Sequence, residues 1–346
     1  MTPPSFRFDI SREVDLIEEV ARVYGFGKIP SQKLGGRVGM HQGGPDARVR
    51  GWRRVLVERG YQEAVTFSFT DATYQDLVLG AGAALSLRNP IASDLGVMRR
   101  SLLPGLLGVM AFNLKRQQTR LRLFEIGRVF LQENGKIRQP LLLAGACFGN
   151  NYPEQWDIAS EPADFFAVKS DVEAILGAVG IYSGVAWLPD TKPALHPGQN
   201  ANIIINNQIV GYISSIHPQI LTALDFPGAA LVYELDIDHL QARGTPHFQP
   251  VSKFPSLRRD LAVVVDDDLP AQKVLNVAAA AAGEALTNLE LFDVYHGEGI
   301  DLGKKSLALG LTFQATSSTL TDEAVDSVIN TVFSALRDEF GATLRE

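Results

Sequence analysis

The chain has 346 residues, 46% of them hydrophobic, too many for one ordinary domain and enough to bury several cores. Its single cysteine excludes a disulfide framework or a cysteine-based zinc site, and the net charge of −7 excludes attraction of a polyanion by the molecule as a whole. No apolar run reaches the roughly eighteen residues that cross a bilayer, and no positive segment leads into one at the start, so a cytoplasmic protein with no membrane contact is expected.

In chain order, Leu16, Val20, Val23 and Tyr24 recur on one face of a predicted helix over 11–24, with Ser11 as expected N-cap and Gly25 as stop. Glycines at 35, 36, 39, 43 and 44 then mark a linker over 35–47. A second helix over 48–58 sets Val49, Trp52, Val55 and Leu56 against a row of arginines, and an alternating strand follows over 63–69. Further on come a helix near 103–117, strands over 120–130 and 141–148, a helix over 165–179, and strands over 202–205, 209–215 and 230–235. Short strands joined by turns predict a mainly antiparallel α+β domain over 48–243. Cys147, inside the apolar run ending at Phe148, reads as a small buried hydrophobe.

Prolines at 246, 250 and 255 mark a second linker, 244–255. The remainder, 256–346, reads as strand 258–266, helix 270–282, strands 286–295 and 305–314, helix 322–340 capped by Thr321, and a closing strand at 342–345. The order β-α-β-β-α-β is that of a ferredoxin-like module.

Several segments resemble, in order, the β subunit family of bacterial phenylalanyl-tRNA synthetases: Ser-Phe-Arg-Phe-Asp-Ile (5–10) with Asp-Leu-Ile-Glu-Glu-Val (15–20), Met-Arg-Arg-Ser-Leu-Leu-Pro-Gly (98–105), Phe-Glu-Ile-Gly-Arg-Val-Phe (124–130), Leu-His-Pro-Gly-Gln (195–199), Phe-Pro-Ser-Leu-Arg-Arg-Asp (254–260) and Leu-Phe-Asp-Val-Tyr (291–295). The resemblance covers essentially the whole chain. It implies the remnant of a metal-carrying, B5-type domain at 1–34, a degenerate class II synthetase core at 48–243, and a ferredoxin-like anticodon-binding domain at 256–346. Members of that family are about twice this length and carry an OB-type tRNA-binding domain and an editing domain ahead of this point. A fragment of the C-terminal part is therefore expected, without editing. The partners implied are the catalytic α subunit, in an (αβ)₂ heterotetramer, and tRNA(Phe).

Asp15, Glu18 and Glu19 lie together on the polar face of the first helix, with Asp9 arriving just before it. By spacing alone this is a solvated helix face. The resemblance instead implies a Mg²⁺ site on Asp9, Asp15, Glu18 and Glu19, an oxygen-only set that suits a hard cation. It equates 48–69 with the dimerising motif of class II enzymes and 120–130 with the strand that holds ATP in active ones. Activation needs arginines on the phosphates where charge builds. The chain offers Leu131-Gln132-Glu133 where the first is expected and no Gly-x-Gly-x-x-Arg downstream, and Arg128 is read as half of a structural salt bridge. His196 and His217 each precede a proline and are read as turn residues. No catalytic residue is expected.

For RNA the candidates are Arg258, Arg259, Phe292, Tyr295, Lys304 and Lys305, and the 8 basic and 15 acidic residues of 251–346 confine attraction to a local patch. The resulting expectation is a non-catalytic ligase subunit that supports ATP-dependent attachment of phenylalanine to tRNA. The competing readings are a free-standing Mg²⁺-dependent enzyme built on the acidic cluster and an RNA-binding adaptor that works without an α subunit.

Overall fold

The computed structural model describes residues 3–32, 45–133, 135–182, 184–190, 192, 195–240, 248, 251–316 and 318–345. They belong to two compact units, residues 1–48 and 49–346. Most of both expected linkers, 35–44 and 244–247 with 249–250, lies outside the described residues.

In the first unit, α1 (Glu13–Tyr24) begins one residue later than a Ser11 cap requires: Arg12 is the N-cap. The Asp15 carboxylate takes the amides of both Ser11 (2.9 Å) and Arg12 (2.7 Å), doing from inside the helix what a serine hydroxyl would have done from outside it. Gly25, at φ 98°, stops the helix as expected. None of the apolar stripe of α1 is buried.

The boundary between the units falls within α2 (Pro45–Glu58), which starts three residues before the expected Arg48 because a proline's fixed φ suits a first helical turn. There follow β1 (Gln62–Glu63), β2 (Phe69–Thr70), α3 (Ala72–Leu79), β3 (Val97–Met98), α4 (Leu103–Leu114), β4 (Leu121–Arg128), β5 (Leu131–Glu133), β6 (Lys136–Arg138), β7 (Leu141–Phe148), α5 (Phe165–Gly177), β8 (Val185–Leu188), β9 (Leu195–Ile205), β10 (Gln208–Ile216), α6 (Pro218–Ala223) and β11 (Ala230–Asp236). Seven strands form one sheet in the order β1-β4-β7-β11-β10-β9-β8, antiparallel except where β1 runs parallel to β4.

Period-2 alternation splits this sheet cleanly. Phe124, Leu143, Cys147, Leu231 and Tyr233 face one side, packed by Trp52 and Leu56 of α2 and by Val168, Val172 and Ile175 of α5. Trp52 also donates its indole N–H to the Ile175 carbonyl at 3.1 Å, which fixes the pitch of α2 on α5. Leu121, Leu123, Ala144, Ala146 and Val232 face the other side, covered by Leu103, Leu106, Leu107 and Met110 of α4.

The expected strand over 63–69 is only partly formed. It pairs for two residues in β1 and two in β2, and the stretch between is unpaired because Thr66 turns in to donate its hydroxyl to Glu125 at 2.7 Å. Helix α3 went unforeseen although Asp71, which caps it through the Tyr74 amide at 2.7 Å, is an ordinary N-cap signal.

The second unit ends in a four-stranded sheet made by β12 (Leu257–Asp266), α7 (Ala271–Ala282), β13 (Leu286–Tyr295), β14 (Lys304–Phe313), α8 (Asp322–Phe340) and β15 (Thr343–Leu344), in the order β13-β14-β12-β15. This is the ferredoxin-like arrangement. Leu261, Val263, Val265, Leu307, Leu309 and Leu311 form the face under α7 and α8. Thr321 caps α8 through the Ala324 amide at 3.3 Å. Replacing it with alanine should lower the unfolding free energy by about 1 kcal/mol, read from the denaturant midpoint at unchanged slope.

Candidate functional site

Three regions hold the residues singled out above. The first is the short acidic segment. Asp9 and Glu19 converge on a single nitrogen, Nη2 of Arg7, at 2.7 Å each, and Arg22 adds a second contact to Glu19 at 2.6 Å. These guanidinium hydrogen bonds hold the Asp9 and Glu19 carboxyls below the usual carboxylate range. Asp15 is lowered too, first by the Arg12 amide and then by that of Ser11. The four expected ligands therefore do not meet. Asp9 and Glu19 share one positive centre, Asp15 is committed to the helix cap, and among the described residues no group of three carboxylate, histidine or cysteine side chains is close enough to hold a metal. The donor chemistry of Asp9 and Glu19 does fit Mg²⁺, since Arg7 already stands in as the cation between them.

The second region is β4. Its burial is continuous from Leu121 to Glu125, with α2 and α5 on one side and α4 on the other. Over Leu121–Glu125 the strand that the resemblance equates with the ATP-holding strand therefore has no open face, while Ile126 and Gly127 are half-buried and Arg128 is exposed. Where a nucleotide clamp would be sought, Arg99 donates to Glu125 at 2.6 Å, and both side chains are buried. Arg128 is exposed and donates to the Gln139 carbonyl at 2.6 Å, so the expected salt bridge is replaced by a hydrogen bond to backbone. His196 and His217 serve turns, each accepting the amide two residues on. Cys147 is buried and its thiol is pushed up to about 12 by that burial, which removes it as a nucleophile near neutrality.

Beside β4, an apolar groove of about 690 Å³ runs between the 65–70 stretch, unpaired over 65–67, and α4. Val65 is 89% exposed, Phe67 71% and Phe112 55%, a concentration of apolar surface that a free protein rarely leaves in water. Alternation in the sequence placed Val65 and Phe67 together, but nothing in it said that this side would stay uncovered.

The third region is the sheet face of the ferredoxin-like module that carries no helix. Register places Arg258, Asp260 and Ala262 of β12, Ser306, Ala308 and Gly310 of β14, and Glu290, Asp293 and Tyr295 of β13 on it. The middle strand is lined by small residues, so this face is a shallow trough. Arg258 lies over Gly310, where a Cβ would come within 2.7 Å of its Nη2, and its guanidinium sits 5.4 Å from the Phe292 ring centre. A register shift between Leu291 and Asp293 carries Phe292 to that position, which simple alternation could not foresee.

Of the six RNA candidates the structure gathers Arg258, Phe292 and Tyr295. Lys304 is at the margin, 3.8 Å from Asp301. Arg259 points to the opposite face, held by Asp322 and Asp326 of α8, and Lys305 donates to the Asp267 carbonyl. One residue was missed. Arg345, held beside β12 by its amide bond to the Ala262 carbonyl, places its guanidinium 4.3 Å from the Tyr295 ring centre. Its position one residue past β15 offered no local signal.

A seven-stranded sheet, antiparallel but for β1, joined to a ferredoxin-fold module is the architecture of an aminoacyl-tRNA synthetase chain with an appended anticodon-binding domain. Family models agree along the chain: a tRNA synthetase B5 domain matches residues 1–26, a phenylalanyl tRNA synthetase beta chain CLM domain residues 29–237, and a ferredoxin-fold anticodon binding domain residues 252–345. The chain belongs to the phenylalanyl-tRNA synthetase beta chain family.

It is 46% identical to the phenylalanine–tRNA ligase beta subunit of Methylococcus capsulatus, over 100% of this chain and 44% of that protein, and 43% identical to that of Pseudomonas fluorescens Pf-5, over 99% of this chain and 43% of that protein. It thus spans less than half the length of these relatives. A solved pyrrolysyl-tRNA synthetase from Desulfitobacterium hafniense aligns with 59% of this chain and 68% of its own at a TM-score of 0.46 and 14% identity. Among the described residues no helix is long and apolar enough to cross a membrane.

Proposed function

We propose that this chain supports ATP-dependent attachment of phenylalanine to tRNA(Phe) as the non-catalytic part of a ligase, docking a catalytic α subunit in an (αβ)₂ assembly in the cytoplasm and holding the anticodon. The observation that carries this reading is the covering of Leu121–Glu125 of β4 on both faces, which closes most of the strand on which class II enzymes hold their nucleotide. Residues 48–243 act as the docking core and 256–346 as the anticodon domain. The groove at Val65, Phe67 and Phe112 supports the docking half, because it lies on the segment equated with the dimerising motif.

The trough on the ferredoxin-like sheet supports the RNA half. Tyr295 under Arg345 and Phe292 under Arg258 offer two guanidinium–aromatic platforms on which unstacked bases can lie. Asp260, Glu290 and Asp293 share that face and repel phosphates, but a carboxylate accepts hydrogen bonds from base N–H groups. The face is therefore suited to reading bases. Arg345→Ala and Tyr295→Ala should each weaken tRNA binding by about 5- to 150-fold, the worth of one stacked base. Filter binding at fixed salt measures it, and an unchanged affinity would remove this face from the interface.

Of the Mg²⁺ ligands expected at Asp9, Asp15, Glu18 and Glu19, Asp9 and Glu19 are the pair proposed to hold the ion, with water filling the remaining positions, since Asp15 already caps α1. Bound there, the ion would neutralise like charges and tie the segment together, a structural role. Because Arg7 now satisfies Asp9 and Glu19, Arg7→Ala should tighten Mg²⁺ binding and Glu19→Gln should weaken it. Calorimetric titration with Mg²⁺ decides, and an R7A variant that binds no more tightly than the parent counts against the assignment.

The overall reading is tested by ATP–pyrophosphate exchange with phenylalanine. This chain alone should give none, and adding the α subunit should restore it. Turnover by the isolated chain would overturn the proposal.

A further inference from the structure

A loop of residues 149–163 joins β7 to α5, and its two halves have opposite character. The base is fixed. Gly149 takes φ 85°, and a Cβ there would lie 2.1 Å from the Thr119 carbonyl oxygen, so only glycine fits. Arg120 donates to the carbonyls of Asn150 (3.1 Å) and Asn151 (2.9 Å), and Arg122 donates to the Asn151 side chain at 2.9 Å. Backbone bonds from Asn151 to Glu161 (2.8 Å) and from Ala163 to Gly149 (3.0 Å) close the loop on itself.

The tip is the reverse. Trp156 is 96% exposed, with Tyr152 at 54% and Ile158 at 43% beside it in sequence. Nothing in the fold needs this indole. Between Asn150 and Asp164 the loop carries Glu154, Asp157, Glu161 and Asp164 and no lysine or arginine. That charge disfavours nucleic acid and anionic lipid surfaces and favours a protein surface with basic groups. A large rigid aromatic presented on a preorganised base is the side chain type that dominates protein–protein binding energy, because little ordering entropy remains to be lost.

We propose that this loop is a docking anchor for the catalytic α subunit: Trp156 enters an apolar pocket of that subunit, and Glu154 and Asp157 face lysine or arginine at the pocket's rim. The inference rests on the reading of this chain as a ligase β subunit and adds a second contact, separate from the groove at Phe67.

The test uses this chain and the α subunit of the same organism. Trp156→Ala should weaken their association at least thirtyfold by surface plasmon resonance, the lower bound for a hot-spot residue, with the melting temperature unchanged because the indole packs against nothing here. Glu154→Gln with Asp157→Asn should slow association at low salt and converge on the parent at high salt. In the parent, α should protect a tryptophan of this chain from acrylamide quenching, and that protection should be missing in W156A, because Trp52 is buried and the half-buried Trp187 is present in both proteins. If the parent binds α and W156A binds equally well, the anchor is refuted and the docking reading survives. If the parent does not bind α at all, both fall. Protection by tRNA in the absence of α would also overturn the anchor.

Discussion

Replacing Asp171 with alanine should lower the unfolding free energy by roughly 3–5 kcal/mol, the largest effect expected of any single change in the core. Asp171 lies on α5, almost wholly buried, where Arg59, Arg122 and the Tyr61 hydroxyl all reach its carboxylate. Arg122 is itself buried and comes from β4, so the carboxylate ties the helix layer to the sheet. Without it the Arg122 charge is left in a low-dielectric site with the Asn151 side chain and the Arg59 carbonyl as its described hydrogen-bond partners and the Tyr61 ring 5.2 Å away. The cost is that of stranding a charge and not the worth of the ion pair. The double change Asp171→Leu with Arg122→Met should therefore recover much of the loss, since apolar replacement of a buried pair is often neutral. Urea denaturation of the parent and the two variants measures both statements, and a double variant as unstable as D171A would show that the pair contributes more than mutual neutralisation.

The order of elements was legible in the sequence because apolar periodicity is a local signal. It placed α5, β7, β10, β11 and every element of the ferredoxin-like module within a few residues. What it could not supply was anything decided by a partner distant in the chain. Arg259 and Lys305 look like RNA contacts because they are basic residues near a strand end, yet Asp322 and Asp326, more than sixty residues on, claim the first, and the Asp267 carbonyl claims the second. The reverse holds for Arg345, whose neighbours in sequence are unremarkable and whose place over Tyr295 arises only when the last strand pairs with β12. The acidic segment differs again. Its carboxylates were expected as ligands from the family resemblance and not from spacing, and neither showed that Arg7, two residues from Asp9, and the amides at the start of α1 compete for the same lone pairs.

Arg99→Ala should have an effect of similar size, roughly 3–5 kcal/mol, and a functional consequence that Asp171→Ala lacks. Arg99 donates to Glu125 at 2.6 Å, to Thr66 at 3.2 Å and to the Arg128 carbonyl at 2.9 Å, while its own carbonyl accepts the Phe130 amide at 2.9 Å. Through these bonds it pins the far end of β4 and, by way of Thr66, the unpaired stretch that presents Val65 and Phe67. Its removal leaves the Glu125 carboxylate buried with the Thr66 hydroxyl as its remaining described hydrogen-bond donor. Arg99→Met with Glu125→Leu should restore much of the stability while leaving Thr66 without its acceptor and the docking stretch loose. Binding to α is then the discriminating measurement. If that double variant is as stable as the parent and still binds α as tightly, the Arg99–Glu125–Thr66 chain is a core contact only, and the groove owes its shape to α4 alone.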